Sequence, residues 1–185
     1  MNIIEERMQE HEAVLQATKK LMPDIAEAGQ MIKTALMKGH KILFCGNGGS
    51  AADSQHLAAE IVGRFQKERQ AFPALALTVD TSILTAVAND YGYETVFSRQ
   101  VQALGQEGDV LVGISTSGNS GNIIAAIAEA RNKGMHVIGM TAAGGGKMKD
   151  LCDVILAVPA KTTARAQEMH IMIGHILCEL AEEDM

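Results

Sequence analysis

The chain reads as a three-layer α/β/α sandwich around a five-stranded parallel sheet, preceded by N-terminal helices. Two observations predict this. Five short apolar runs alternate with longer amphipathic stretches over residues 39–185, the pattern of repeated βαβ units. The runs are apolar throughout rather than alternating, as strands covered by helices on both faces should be.

Residues 1–38 come first and read as helical. Ile4, Met8, Val14, Leu15 and Leu21 fall near helical spacing from about Ile3 to Met22. Pro23 and Asp24 are expected to break the chain and recap it, Pro suiting a first turn and Asp satisfying orphan amides. A second helix should then run to about Lys38, ended by Gly39. The five strands follow at Lys41–Cys45, Ala74–Val79, Val110–Ser115, His136–Thr141 and Val154–Val158. Each is too short for a buried helix and is bounded by Gly, Asp or Pro. Helices are expected at about 50–65, 82–88, 94–104, 120–133 and 164–183. Residues 1–185 form one domain, with 1–38 a candidate subunit interface. The triplet Gly144-Gly145-Gly146 is a loop within it.

Composition excludes several functions. Aromatics supply only 3% of residues and Trp is absent, so the core must be Ala, Ile, Leu, Val and Met. Net charge is -6 without a Lys/Arg cluster, against nucleic-acid binding, which needs a basic footprint. Cys45, Cys152 and Cys178 lie far apart, as buried thiols of a reducing compartment would. No apolar run approaches the roughly 18 residues that cross a bilayer, and residues 1–9 lack a signal-peptide core. The expected location is the cytoplasm, with no membrane partner.

Two strand ends carry loops suited to an anion. One is Gly46-Asn47-Gly48-Gly49-Ser50; the other is Ser115-Thr116-Ser117-Gly118-Asn119-Ser120, with four hydroxyls in six residues. Each precedes a helix, whose first N–H groups and positive dipole end favour phosphate. Neither has the Walker Gly-Lys-Ser/Thr or the dinucleotide spacing. His56 and Glu60, at i and i+4, share one face of the helix that starts at the glycine loop. Gln167 and His175 lie eight residues apart, about 80° round the last helix. His170 borders another face and reads as a satisfied core histidine.

Three segments together carry a wider resemblance: CGNGGSAADSQHLAAEIVGRF at 45–65, DTSILTAVANDYGYETVFSRQVQALGQEGDVLVGISTSGNS at 80–120, and TARAQEMHIMIGHILCEL at 163–180. They resemble the sedoheptulose-7-phosphate isomerases, members of the sugar-isomerase (SIS) fold, over essentially the whole chain. The resemblance implies isomerisation of sedoheptulose 7-phosphate to D-glycero-D-manno-heptose 7-phosphate, the first step toward the heptose of lipopolysaccharide or other glycans. It implies a homotetramer with active sites between subunits, and zinc. By position, Ser115, Thr116, Ser117 and Ser120 would bind phosphate. Asn47, Gly48, Gly49, Ser50, Asn89, Asp90 and Gln167 would contact the sugar or shape its pocket, with Glu60 also touching it. Glu60 and His175 would be the proton-transfer pair, and His56, Glu60, Gln167 and His175 the metal ligands. Eight residues of straight helix separate the Cα atoms of Gln167 and His175 by about 12 Å, so sharing one metal demands long reach or two subunits. The segment before Gln167 reads KTTAR, where some relatives carry a longer loop with an acidic residue, whose role does not carry over.

Two other readings stand beside this one. A non-enzymatic SIS relative binds the bacterial replication initiator, but lacks the acid and histidine that match Glu60 and His175. An isomerase of another sugar phosphate is the second; the Asn89-Asp90 segment and the last helix fit heptose isomerases better.

Overall fold

A computed structural model describes residues 2–183. Its sheet is five-stranded and wholly parallel, in the order β2-β1-β3-β4-β5. The strands are β1 (Ile42–Gly46), β2 (Ala74–Ala76), β3 (Val110–Ile114), β4 (His136–Thr141) and β5 (Val154–Ala157). The helices are α1 (Ile3–Thr18), α2 (Met22–Met37), α3 (Gly49–Val62), α4 (Thr81–Tyr91), α5 (Val96–Leu104), α6 (Gly121–Asn132) and α7 (Thr163–Glu182).

The all-apolar strands are explained by two cores, one on each face. Ile42, Phe44, Val110, Val112, Ile114, Ile138 and Met140 point to one side, where α2, α3 and α7 cover them. Leu43, Cys45, Leu111 and Val137 point to the other, under α5 and α6. Alternate residues of one run thus enter different layers, so both faces are largely apolar, with Thr141 at the end of β4 a buried polar exception. Cys45 and Cys178 are buried free thiols, whereas Cys152 is only partly buried. Burial pushes Cys45 up to about 12, helped by Cys152.

Several boundaries differ from the sequence reading. Pro23 lies in the first turn of α2, as expected, but Asp24 does not cap it; no side chain caps that start, which follows a 3-10 turn at Lys19–Leu21. Strand β2 stops at Ala76 because the chain turns at Leu77 and Thr78. Its chain turns at Asp80, whose carboxylate accepts from the Ile83 N–H at 2.9 Å and caps α4. Helix α4 runs three residues further than expected and so carries Asn89 and Asp90. Helix α3 ends at Val62 because Gly63 closes it, which leaves Arg64 and Phe65 on a loop. Residues Ile3, Ile4 and Met8 of α1 are exposed, while Leu21 is buried.

One feature of the topology positions the site. After β1 the chain crosses by α3 on one face to β2; after β3 it crosses by α6 on the other face to β4. The chain direction therefore switches between β1 and β3, and the crevice at their carboxyl ends is where open α/β sheets bind ligands. The two anion loops lie at those two ends.

Candidate active site

The serine loop is preorganised. Ser115 Oγ lies 2.8 Å from Ser120 Oγ and 3.3 Å from Ser117 Oγ, so three hydroxyls converge. The turn is closed by Gly118 N–H donating to Ser115 O at 2.9 Å. The Asn119 N–H donates to Ser117 Oγ at 3.1 Å. Gly118 has φ +64, and a Cβ there would collide with the Gly145 carbonyl. The Gly144-Gly145-Gly146 loop is thereby the outer wall of the serine loop, tied to it by Met148 N–H on Gly118 O at 3.1 Å and Lys147 N–H on Asn119 Oδ1 at 3.1 Å. Ser120 starts α6 without a side-chain cap, which keeps its hydroxyl in the hydroxyl cluster.

The glycine loop stands across the switch point. Gly48 takes φ 56 and ψ -120, a backbone that suits glycine alone. Gly48 and Gly49 are exposed, whereas Ser50 is buried and packs against Gly46. Asn47 is committed: its Nδ2 donates to Asn122 Oδ1 at 2.9 Å, and its Oδ1 accepts from Asn122 Nδ2 at 2.9 Å and from the Tyr93 hydroxyl at 3.2 Å. This reciprocal amide pair fixes the glycine loop to the first turn of α6, and so to the serine loop. Asn122 and Tyr93 escaped the sequence reading because an Asn in a helix and an exposed Tyr carry no local signal. Asn89 and Asp90 are exposed at the end of α4, with Asn89 Nδ2 donating to Asp90 Oδ1 at 2.8 Å.

The acid and histidine residues form a second cluster. His175 Nε2 is 3.0 Å from His56 Nε2, which is 3.2 Å from Glu60 Oε1. His56 Nε2 thus stands between the Glu60 carboxylate and the His175 ring, within hydrogen-bond reach of both. The ring of Phe65 stacks on His175 at 5.3 Å between centroids. Helices α3 and α7 run side by side in the same direction, His56 beside His175 and Gly49 beside Gln167. Two glycines permit the approach: a Cβ at Gly174 would stand 2.5 Å from Leu57 Cδ2, and one at Gly49 2.6 Å from Gln167 Nε2.

The structure thus brings His56, Glu60 and His175 together and leaves Gln167 on the glycine loop, about 12 Å back along α7. The four-donor zinc set does not gather within one chain. Among the described residues, no group of three or more His, Cys, Asp and Glu side chains is set to hold a metal ion. Asp53, one turn before His56 and unnoticed in the sequence, has an Oδ2 that is buried without a hydrogen-bond partner. Burial raises its pKa, and nearby His56 opposes the rise. His170 is wholly buried, its Nε2 donating to Thr141 O at 3.0 Å; burial lowers its pKa against that bond.

A parallel α/β sheet with a hydroxyl-lined anion loop at its switch point defines a protein that binds small phosphorylated ligands. Residues 8–142 match the family model described as SIS domain. The chain is 54% identical to phosphoheptose isomerase 1 of Campylobacter jejuni, over 99% of this chain and 98% of that one. It is 58% identical to the phosphoheptose isomerase of Rhodospirillum rubrum, over 87% and 86%. Its fold superposes on the phosphoheptose isomerase structure from Neisseria gonorrhoeae with TM-score 0.93 and 47% identity, covering 97% of each chain. The Francisella tularensis phosphoheptose isomerase gives 0.91 and 37%, covering 100% of each. The chain belongs to the SIS domain family and, within it, to the phosphoheptose isomerases.

Proposed function

We propose that this protein isomerises sedoheptulose 7-phosphate to D-glycero-D-manno-heptose 7-phosphate, supplying a heptose precursor for lipopolysaccharide or another glycan. The observation that carries the proposal is the pairing of a three-serine anion loop with the Glu60, His56 and His175 cluster. Ketose–aldose exchange moves a proton between C1 and C2 through a cis-enediol, with a base at carbon and a relay between the oxygens. Glu60 removes the carbon proton; His175 passes protons between O1 and O2. Presence of both groups favours catalysis over a non-enzymatic role in binding the replication initiator.

Distance supports an active site shared between subunits. Helix α3 leads away from the anion loops, and Glu60 lies about 16 Å along it from Gly49. A seven-carbon sugar phosphate spans only about 10 Å from C1 to phosphorus by its bond lengths. The serine loop of one subunit and the Glu60–His175 pair of another then serve one substrate, in the homotetramer that we propose. Zinc would be held by His56, Glu60 and His175, with Gln167 too far along α7 to join them within one chain, and would polarise the substrate carbonyl as a Lewis acid; calorimetric titration of the metal-free protein with zinc chloride tests it. No helix among the described residues is long and apolar enough to cross a membrane, in keeping with the proposed cytoplasmic location.

The test is a mixing experiment. Ser115→Ala/Ser117→Ala protein and Glu60→Gln protein are each expected to be inactive. Dissociated and reassembled together, they should regain a fraction of wild-type turnover in heterotetramers holding one intact site. Mixtures as inactive as their parents would contradict the shared site.

A further inference from the structure

Residues 63–73 join α3 to β2 without regular structure, yet their backbone is tightly held. The N–H groups of Phe65, Gln66 and Lys67 donate to the Glu182 carboxylate at 2.8, 3.0 and 3.0 Å. Successive N–H groups turned on one anion form a nest. Arg69 Nε donates to the same carboxylate at 2.8 Å, and the two side chains are 4% and 2% exposed. The guanidinium goes on to the carbonyl of Glu60 at 3.1 Å and of Gln70 at 2.9 Å, and stands 4.6 Å over the Phe72 ring. Burial by itself would raise the Glu182 pKa. The three N–H groups and Arg69 outweigh it and hold the carboxyl at about 2, so it is ionised wherever the enzyme works.

Both ends of this hub touch the acid–histidine cluster. One bond holds the carbonyl of Glu60 itself, at the last turn of α3. Another fixes the backbone of Phe65, whose ring lies nearly parallel to that of His175, with an interplanar angle of 20°. His175 also meets the His56 ring, 5.0 Å away between centroids and tilted by 52°. An imidazole stacked on one ring and bonded through its edge to another keeps one χ2, and here that setting aims Nε2 at His56 Nε2.

We infer that the buried Glu182–Arg69 pair is a positioning device for catalysis, orienting His175 through the stacked Phe65 ring and anchoring the end of α3 through the Glu60 carbonyl. Neither residue touches substrate; each acts through another. The inference rests on the proposed catalytic role of His175 and Glu60. It also gives residues 63–73 a reason to carry the buried charge of Arg69. Closing a loop against apolar neighbours needs no ion pair, and breaking such a pair leaves a costly unpaired charge.

Phe65→Leu keeps the N–H that Glu182 holds and removes only the stacked ring. In the full-length protein it should lower kcat about tenfold, the scale of a small misplacement of a catalytic group, with KM changed less than about twofold. Phe65→Tyr restores the ring and should restore kcat. Glu182→Gln should reproduce the kcat loss at a temperature where it remains folded. The ¹⁵N shifts of the His175 imidazole, assigned by loss in His175→Asn, should move from one dominant tautomer toward a mixture in Phe65→Leu. Wild-type kcat and unmoved imidazole shifts in Phe65→Leu overturn the inference, as does failure of Phe65→Tyr to rescue. Full turnover by His175→Asn instead overturns the catalytic role of His175, which separates the two claims.

Discussion

Replacing Glu182 by Gln removes one charge from the core with almost no change of shape. The Glu182 carboxyl moves from an ordinary value of 4.5 to about 2 in the folded chain. At about 1.4 kcal/mol per unit, that displacement corresponds to about 3 kcal/mol of stability at neutral pH. A folded pKa below the unfolded one means stability fully present above pH 4.5 and lost as pH falls toward 2. The Glu182→Gln variant should therefore unfold roughly 6–12 °C below wild type at pH 7, with the gap closing below about pH 4.5. Thermal unfolding followed by circular dichroism at fixed protein concentration reads both quantities. Adding Arg69→Met should recover part of the loss, since the unpaired buried cation goes with it. A deficit below about 1 kcal/mol at pH 7, or one constant down to about pH 2.5, would refute the reasoning.

Four further outcomes follow from the same geometry. Ser117→Ala removes one of three converging hydroxyls and should raise KM several-fold with kcat little changed, because phosphate is bound in ground and transition states alike; steady-state kinetics decide. Asn122→Ala breaks the amide pair with Asn47 and should weaken binding of sugar phosphate while the inhibition constant of inorganic phosphate stays near wild type, since the serine loop closes on itself. Gly118→Ala combines φ +64 with a collision on the Gly145 carbonyl, and should cost more than about 1 kcal/mol in urea unfolding. His170, whose pKa is lowered from 6.5 by burial, contributes stability that is present above 6.5 and lost as pH falls through its lower folded value. His170→Gln should flatten the decline of the melting temperature between about pH 7 and 5.

The layers were legible because period and burial coincide. Continuous runs such as Val110–Ile114 read as strands covered on both faces, and every strand but β2 lay within a residue of its expected place. Edges were less legible. β2 stops early because the chain turns at Leu77 and Thr78, and Asp24 fails as a cap because α2 continues from a 3-10 turn rather than starting afresh. The serine loop was readable from four hydroxyls beside one helix start. His56 and Glu60 were readable from i, i+4 spacing, but their meeting with His175 needed α3 and α7 side by side, which Gly49 and Gly174 permit and no local pattern announces. Gln167 shows the reverse: it shares a helix face with His175, yet one-face spacing says nothing of the 12 Å rise between them. Glu182, Phe65 and Asn122 had no signal, since each acts by touching residues 50 or more positions away.

The proposed reaction moves a proton between C1 and C2 of a seven-carbon sugar phosphate, with Glu60 as the base at carbon. The direct test is proton NMR of sedoheptulose 7-phosphate incubated with the purified protein in D₂O, beside Glu60→Gln. Wild type should form heptose 7-phosphate carrying solvent deuterium at C2, because a base shared with solvent exchanges its proton; Glu60→Gln should give neither product nor label. No aldose from wild type, deuterium-free product after many turnovers, or full turnover by Glu60→Gln would contradict it.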